Sequence, residues 1–304
     1  MSDTRESLRV GSFNRSMLIH LARASGDFDR AGLEVTEFLV PSSPAQFESL
    51  DAGDYDVVFT SPDNVLAYNY LSENPLGRKI ATTVVAGMDR GLGLSLWTAP
   101  GVQQPSDLHG RVLGVDVPAS GFAYVAYALL DKAGLRPGDY SIESLGSTPR
   151  RADALIEGRC SVTVLNAGNE LRAQSAGCSR VASVTELGPY LGTVLAMNAS
   201  GDDETARVRR FADILLNVAT EILSGARESD VVAAATELLD LTDDEAREHY
   251  RCLTSSATAL IGDGIVDREA ITTLIALRRT YSPTEELDAI LPTLDTIVDS
   301  RVLK

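Results

Sequence analysis

Short apolar runs alternate along this chain with stretches whose apolar positions recur at helical spacing, and the two periods divide most of it into elements. Through residue 87 the order is strand, helix, strand, helix, strand, helix, strand. The strands fall at 8–12, 33–39, 56–59 and 80–87. The helices run over 17–25, from Ser42-Ser43-Pro44 to Asp51-Ala52-Gly53, and onward from Pro62. Such alternation predicts a mostly parallel sheet covered by helices. Residues 53–70, GDYDVVFTSPDNVLAYNY, show the unit most fully. Asp56-Val57-Val58-Phe59 is a buried strand and Thr60-Ser61 a polar turn. Pro62 suits a first helical position, because its missing N–H would have been unpaired anyway. Asp63 and Asn64 then fall beside free backbone N–H groups. A strand ending on a helix N-terminus is where open α/β sheets place ligands, and those N–H groups suit an anionic or carbonyl-bearing one.

The same unit recurs further on. A strand over 94–98 and a short turn at 105–110 precede the strand 111–116, and Ser120 is the expected N-cap of a helix over 122–133. After a strand at 141–145, Ser147-Thr148-Pro149 opens a helix carrying Arg150 and Arg151. The strand 161–165 then leads through Asn166-Ala167-Gly168-Asn169 to a helix from about Glu170. The recurrence predicts two similar α/β lobes with opposed ligand-facing edges. A strand at 193–198 carries the chain back. Helical patterns follow at 203–223, 229–239, 243–252, 267–279 and 283–291, with a capping box from Thr242 to Glu245. Their apolar stripes mark them as packing elements.

At 304 residues the chain has room for two domains, and 44% apolar with 23% charged residues fits a soluble globular protein. The net charge of −16, without clustered Lys or Arg, argues against a nucleic-acid partner. Cys160, Cys178 and Cys252 form no disulfide framework. They read as reduced core residues, with a Cys160–Cys178 bridge as the open alternative. His20, His109 and His249 lack metal-ligand spacing, and no metalloprotease, P-loop, nucleophile-elbow or dinucleotide motif occurs. No cofactor or metal is therefore expected. No apolar run approaches a membrane span. The opening MSDTRES leads into the first strand without the features of an export signal, so the expected location is cytoplasmic.

Several phrases resemble the two-lobed solute-binding proteins of bacterial ABC importers, in particular the group for sulfonates, nitrate, taurine and thiamine-pyrimidine precursors. They are ARASG at 22–26 through AGLEV at 31–35, LDAGDYDV at 50–57, PSDLHGRVLGV at 105–115, and ALIEG at 154–158. The likeness spans nearly the whole chain but is mostly scaffold and names no ligand. It implies a type II periplasmic-binding-protein fold: two Rossmann-like lobes joined by a two-segment hinge, with C-terminal helices on the first lobe. Lobe 1 would comprise 1–97 plus 193–304 and lobe 2 would comprise 98–192, with hinge crossings near 96–98 and 192–195. Where the pyrimidine-synthesis relatives carry a histidine in the first loop, this chain has Ser16, so their iron- and histidine-dependent chemistry is not expected.

By position, the cleft-lining candidates are Ser12, Asn14, Ser16, Ser43, Ser61, Ser120, Asn166 and Asn169. Ser16, Ser43, Ser61 and Ser120 have a purely capping role as the alternative. For catalysis the acid/base candidates are Asp63 and Asp89, with Arg90 to hold a substrate carboxylate. Tyr124 and Tyr190 could lend an aromatic wall, with packing the alternative. Cys160, at the start of a buried strand, is poorly placed for a reactive thiolate. The expected partner is a small polar or aromatic organic molecule. Without a leader, the favoured reading is a cytoplasmic, cofactor-independent enzyme of lyase, decarboxylase or dehydratase type on a solute-binding scaffold. The alternative is the substrate-binding component of an ABC importer, working with a permease.

Overall fold

Two five-stranded sheets organise the chain, and the computed structural model describes residues 5–198 and 202–290 of it. The first half contributes β1 (Glu6–Ser12), α1 (Met17–Ala24), α2 (Asp27–Arg30), β2 (Leu33–Leu39), α3 (Ser43–Asp51), β3 (Val57–Thr60), α4 (Pro62–Tyr70) and β4 (Thr82–Asp89). Next come β5 (Ser95–Thr98), β6 (Val112–Val115), α5 (Gly121–Lys132), β7 (Ser141–Ser144), α6 (Thr148–Ile156), β8 (Val162–Leu165), α7 (Asn169–Ser175) and β9 (Ser179–Ser183). The chain finishes with β10 (Thr193–Asn198), α8 (Asp202–Leu223), α9 (Glu228–Leu239), α10 (Asp243–Thr254), α11 (Arg268–Tyr281) and α12 (Glu285–Ile290). The end of the helix expected over 283–291 and the first four residues of the chain lie outside the described residues.

The sheet orders are β2-β1-β3-β10-β4 and β7-β6-β8-β5-β9, one arrangement used twice. In the first sheet β1 runs parallel to β2 and β3, while β10 is antiparallel to β3 and β4. In the second, β6 runs parallel to β7 and β8, and β5 is antiparallel to β8 and β9. The α/β fold with two lobes is as expected. Each sheet, however, is mixed rather than mostly parallel. The cause is geometric: β1, β3, β6 and β8 all run towards the space between the lobes. A strand arriving from the other lobe enters at that same edge and has to run away from it. Both such strands, β5 and β10, are the antiparallel ones.

Two short elements escape the apolar pattern. Helix α2 is a single four-residue turn, and β9 presents mostly exposed residues, so neither carries a strong hydrophobic period. Helix α10 packs on α9 and α8, α8 and α9 both pack on α1, and α8 also lies against β1 and β4. Helix α11 lies against both α4 and α5, and one apolar cluster runs through it from Phe47 and Tyr68 to Tyr124 and Leu129. Tyr281 of α11 stacks on Tyr124 with ring centroids 6.4 Å apart. The lobes thus share a greasy seam behind the space that separates their sheets. No described helix is long and apolar enough to cross a membrane.

Candidate ligand-binding site

A cavity of about 150 Å³ opens between the two sheets. That volume holds a molecule of roughly one small ring. The C-terminal ends of the inward-running strands reach it through Ser12, Thr60, Met88, Asp89, Asp116 and Asn166. The turns that follow place four helix N-termini on its wall.

Those N-termini belong to α1, α4, α5 and α6, and Ser16, Ser61, Ser120 and Ser147 are their N-caps and line the cavity. Ser16 Oγ accepts from the Ile19 N–H at 3.3 Å, Ser61 Oγ from Asp63 at 3.3 Å, and Ser120 Oγ from Ala123 at 3.4 Å. Capping and lining are therefore the same role for these serines. An Oγ that accepts from the helix keeps its own O–H to donate. Each helix end adds unpaired N–H groups and a partial positive charge.

Arg151 supplies a full charge. It lies one turn into α6, is 2% exposed and lines the cavity. Its guanidinium donates to the Gly146 carbonyl (2.6 Å), Thr148 Oγ1 (3.0 Å) and the Val164 carbonyl (3.4 Å), while Nε has no partner among the described residues. Among the described residues it makes no ion pair with a carboxylate. Burial pulls its pKa down to about 10, still charged at neutral pH, with Asp116 acting in the opposite sense.

Acidic groups face the same space. Asp116, at the end of β6, is 9% exposed, and its Oδ2 accepts from the Ser43 hydroxyl at 2.6 Å and the Ser43 N–H at 3.2 Å. Its Oδ1 has no hydrogen-bond partner among the described residues. Asp89 accepts from the Gly91 N–H at 2.7 Å and also bonds Thr193. Burial pushes its carboxyl up to about 6. His249 of α10 reaches the cavity with Nδ1 unpartnered among the described residues, and burial pulls its pKa down to about 4, which keeps the imidazole neutral at physiological pH. Phe13, Phe59 and Phe122 are aromatic side chains on the cavity wall.

Backbone strain gathers here too. Leu92 (φ 48°) and Ala167 (φ 56°) are non-glycine residues in the left-handed region, both line the cavity, and the Ala167 N–H donates to the Leu92 carbonyl at 3.0 Å. Such conformations persist where surrounding structure enforces them, and they concentrate at binding sites.

Of the expected site residues, Ser12, Asn14, Ser16, Ser61, Asp89, Ser120 and Asn166 line the cavity. Ser12 donates its hydroxyl to Glu37 Oε1 at 2.8 Å, and Asn166 Nδ2 donates to the Gly91 carbonyl at 3.1 Å. Ser43, Asn169, Asp63 and Arg90 stand off the wall. Ser43 sits in the first turn of α3, where Ser42 is the N-cap, and reaches across to Asp116. Asn169 donates to Asn14 Oδ1 at 3.0 Å, a second bond from lobe to lobe. Asp63 turns away into an ion pair with Arg278. Arg90 is exposed and donates to the Leu260 carbonyl at 3.4 Å. Successive side chains of extended backbone alternate faces, so a neighbour of inward-facing Asp89 points out. Tyr124 and Tyr190 are buried in the apolar cluster and not on the wall.

Asp116, Ser147, Thr148, Arg151 and His249 were not among the expected site residues. A signal for Arg151 exists in the sequence: on α6 it shares the buried stripe with Thr148, Ala152 and Leu155, a cation where an apolar residue is the rule.

The family described as ABC transporter, phosphonate, periplasmic substrate-binding protein matches residues 21–243. No curated protein matches the sequence. Among solved structures, a protein of Bordetella bronchiseptica RB50 is 17% identical with a TM-score of 0.78, covering 97% of this chain and 95% of that one. The alkanesulfonate-binding protein SsuA from Xanthomonas axonopodis pv. citri, bound to MOPS, is 14% identical (TM-score 0.71; 92% and 95% covered). The periplasmic nitrate-binding protein NrtA from Synechocystis PCC 6803 is 10% identical (TM-score 0.74; 98% and 87% covered). At these identities the likeness establishes the fold, the two-lobed periplasmic-binding-protein architecture.

Two expectations are corrected by these findings. The cytoplasmic location, inferred from the opening residues, is overturned by the match to a periplasmic substrate-binding family. The lean towards a lyase draws no support, whereas the alternative, a solute-binding protein of an ABC importer, does.

Proposed function

This chain belongs to the phosphonate-type periplasmic substrate-binding family of ABC transporters, and from that premise we propose that its cavity holds a small organic oxyanion for delivery to a permease. The observation that carries the reading is Arg151, a buried guanidinium with an unused Nε and no carboxylate partner among the described residues. A buried charge of this kind is tolerated when a ligand of opposite charge completes it. The four serine-capped helix ends around it add donors suited to oxyanion oxygens. Ser16, Ser61, Ser120, Ser147 and Arg151 would grip the anion, with Asn14 and Asn166 beside it. Ser43 and Asn169 would tie the lobes over it.

In the same proposal β5 goes with the second lobe, since it pairs there, and the hinge crossings run through residues 90–94 and 188–192. The expected crossings at 96–98 and 192–195 lie mostly inside β5 and β10. Closure about these segments would exclude water from the anion.

Calorimetric titration with a panel of small organic phosphonates, sulfonates and carboxylates tests the reading. At least one class should bind, and Arg151→Met should lose about 100-fold or more in affinity, as expected for a buried charged hydrogen-bond partner. Binding that survives Arg151→Met unchanged would overturn it.

A further inference from the structure

The inward row of the edge strand β2 breaks its own pattern. Alternate residues of a strand share a face, and Leu33, Val35 and Glu37 form one such row. Leu33 and Val35 pack in the apolar cluster that holds Leu18, Ile19 and Ala22 of α1. Glu37 is a half-buried carboxylate where that row calls for a third apolar residue. Its Oε1 accepts two hydrogen bonds, from the Ser12 hydroxyl and from the Ser16 N–H, each 2.8 Å long. Burial pushes its carboxyl up from the usual range, while those two bonds and the charges of Arg15 and Arg23 oppose the shift.

The two donors are the two ends of one loop. Ser12 is the last residue of β1 and Ser16 the N-cap of α1. Between them Phe13, Asn14 and Arg15 all line the cavity, whereas Glu37 stands off its wall. In the middle of the loop Asn14 Oδ1 accepts from Asn169 of α7 at 3.0 Å. Two donors on one oxygen are held within twice the bond length of each other, so the loop stays closed at its base while both bonds stand.

Resting on the oxyanion reading of this cavity, we propose that Glu37 is a positioning residue, which clasps both ends of the β1–α1 loop and so sets Asn14 and Arg15 for the solute. Its charge gives the role a distinctive sign. A carboxylate near an anion site opposes the anion, so on charge alone its loss strengthens binding. Loss of the clasp weakens binding, because the loop then spends less time in the competent arrangement. Positioning and charge therefore act in opposite directions in Glu37→Ala. A residue that served the fold alone would lower the unfolding midpoint and leave the affinity of the folded chain unchanged.

The test is calorimetric titration of the full chain with methylphosphonate, methanesulfonate and acetate. The probe that binds wild type most tightly is then titrated into the variants. Glu37→Ala should weaken it about ten-fold, the loss expected when two hydrogen bonds to a charged group no longer hold the loop. Glu37→Gln keeps an acceptor where Oε1 stands, so it should bind within about three-fold of wild type, or more tightly. Glu37→Asp keeps the charge but falls a methylene short of both donors. It should lose as much as Glu37→Ala, and it decides the matter should the alanine variant fail to fold. Weakening of less than about three-fold in Glu37→Ala, or tighter binding, overturns the positioning role and leaves the anion reading standing. An equal loss in Glu37→Gln also overturns it, since the two accepted bonds would then not be what matters. Failure of all three probes to bind wild type overturns both.

Discussion

Asp63 and Arg278 are joined by two 2.7 Å hydrogen bonds across 215 positions of sequence. Both side chains are almost wholly buried, at 2% and 4% exposure. The guanidinium also donates to the Ala119 carbonyl at 3.1 Å and lies 4.9 Å from the Tyr124 ring centroid. The pair therefore pins α4 and α11 together and to the start of α5, behind the cavity.

Breaking this pair from one side strands a buried charge. Asp63→Ala should cost about 3–5 kcal/mol. Asp63→Leu combined with Arg278→Met should recover most of that loss, because an apolar pair removes the uncompensated charge. Urea unfolding of the three chains checks both statements. A loss below about 1 kcal/mol in Asp63→Ala would mean that the pair is solvated in solution.

Gly192 is a second point of close approach. A Cβ there would come within 2.5 Å of both the N and Cα of Gly91. Backbone cannot rotate away as a side chain can, so Gly192→Ala should force the two crossing segments apart. Overpacking of this kind costs about 1–3 kcal/mol, and solute affinity should fall with it. A variant with wild-type unfolding midpoint and affinity would show that the segments separate freely.

Asp89 should leave a signature in the pH dependence of stability. Burial raises its carboxyl from 3.8 to about 6, against the opposing bonds from Thr193 and Gly91. The folded chain then holds this proton more tightly than the unfolded chain. Between pH 3.8 and about 6, the stability contributed by this group falls as pH rises. Asp89→Asn removes the titration, so its stability relative to wild type should climb by about 3 kcal/mol across that window. Unfolding curves at several pH values decide it, and a pH-independent difference would contradict the assignment.

Ser43 holds Asp116 without touching the cavity wall itself. Removing its hydroxyl in Ser43→Ala deletes the 2.6 Å bond to Asp116 and leaves the 3.2 Å backbone bond. The closed arrangement should be less populated and affinity about five-fold weaker, in proportion to the lost competent fraction. Calorimetry reads the affinity, and small-angle scattering of the free chain reads the opening. Unchanged affinity would place the tie outside the closing step.

The strand–polar turn–helix junctions were legible in the sequence, because an apolar run, a serine cap and a helical period are local signals that local geometry obeys. Ser16, Ser61 and Ser120 were found that way, as caps and as wall residues together. Asp63 was misplaced for a related reason. Its position in the first turn of α4 is local, but the direction of its side chain answers to Arg278, 215 residues away. Asp116 ends a strand much as Asp89 does, and only the approach of Ser43 from the other lobe makes one of its oxygens satisfied and the other not.

By itself, then, the sequence determined two α/β lobes, their helix ends and the caps on them, since each depends on contacts within a few residues. Tertiary structure decided the rest: which charges are paired, which are left facing the cavity, and which strands run against their neighbours. Those properties come from long-range contacts whose partners carry no mark of one another in the chain, and burial becomes a cost or a binding force only once both partners are in place.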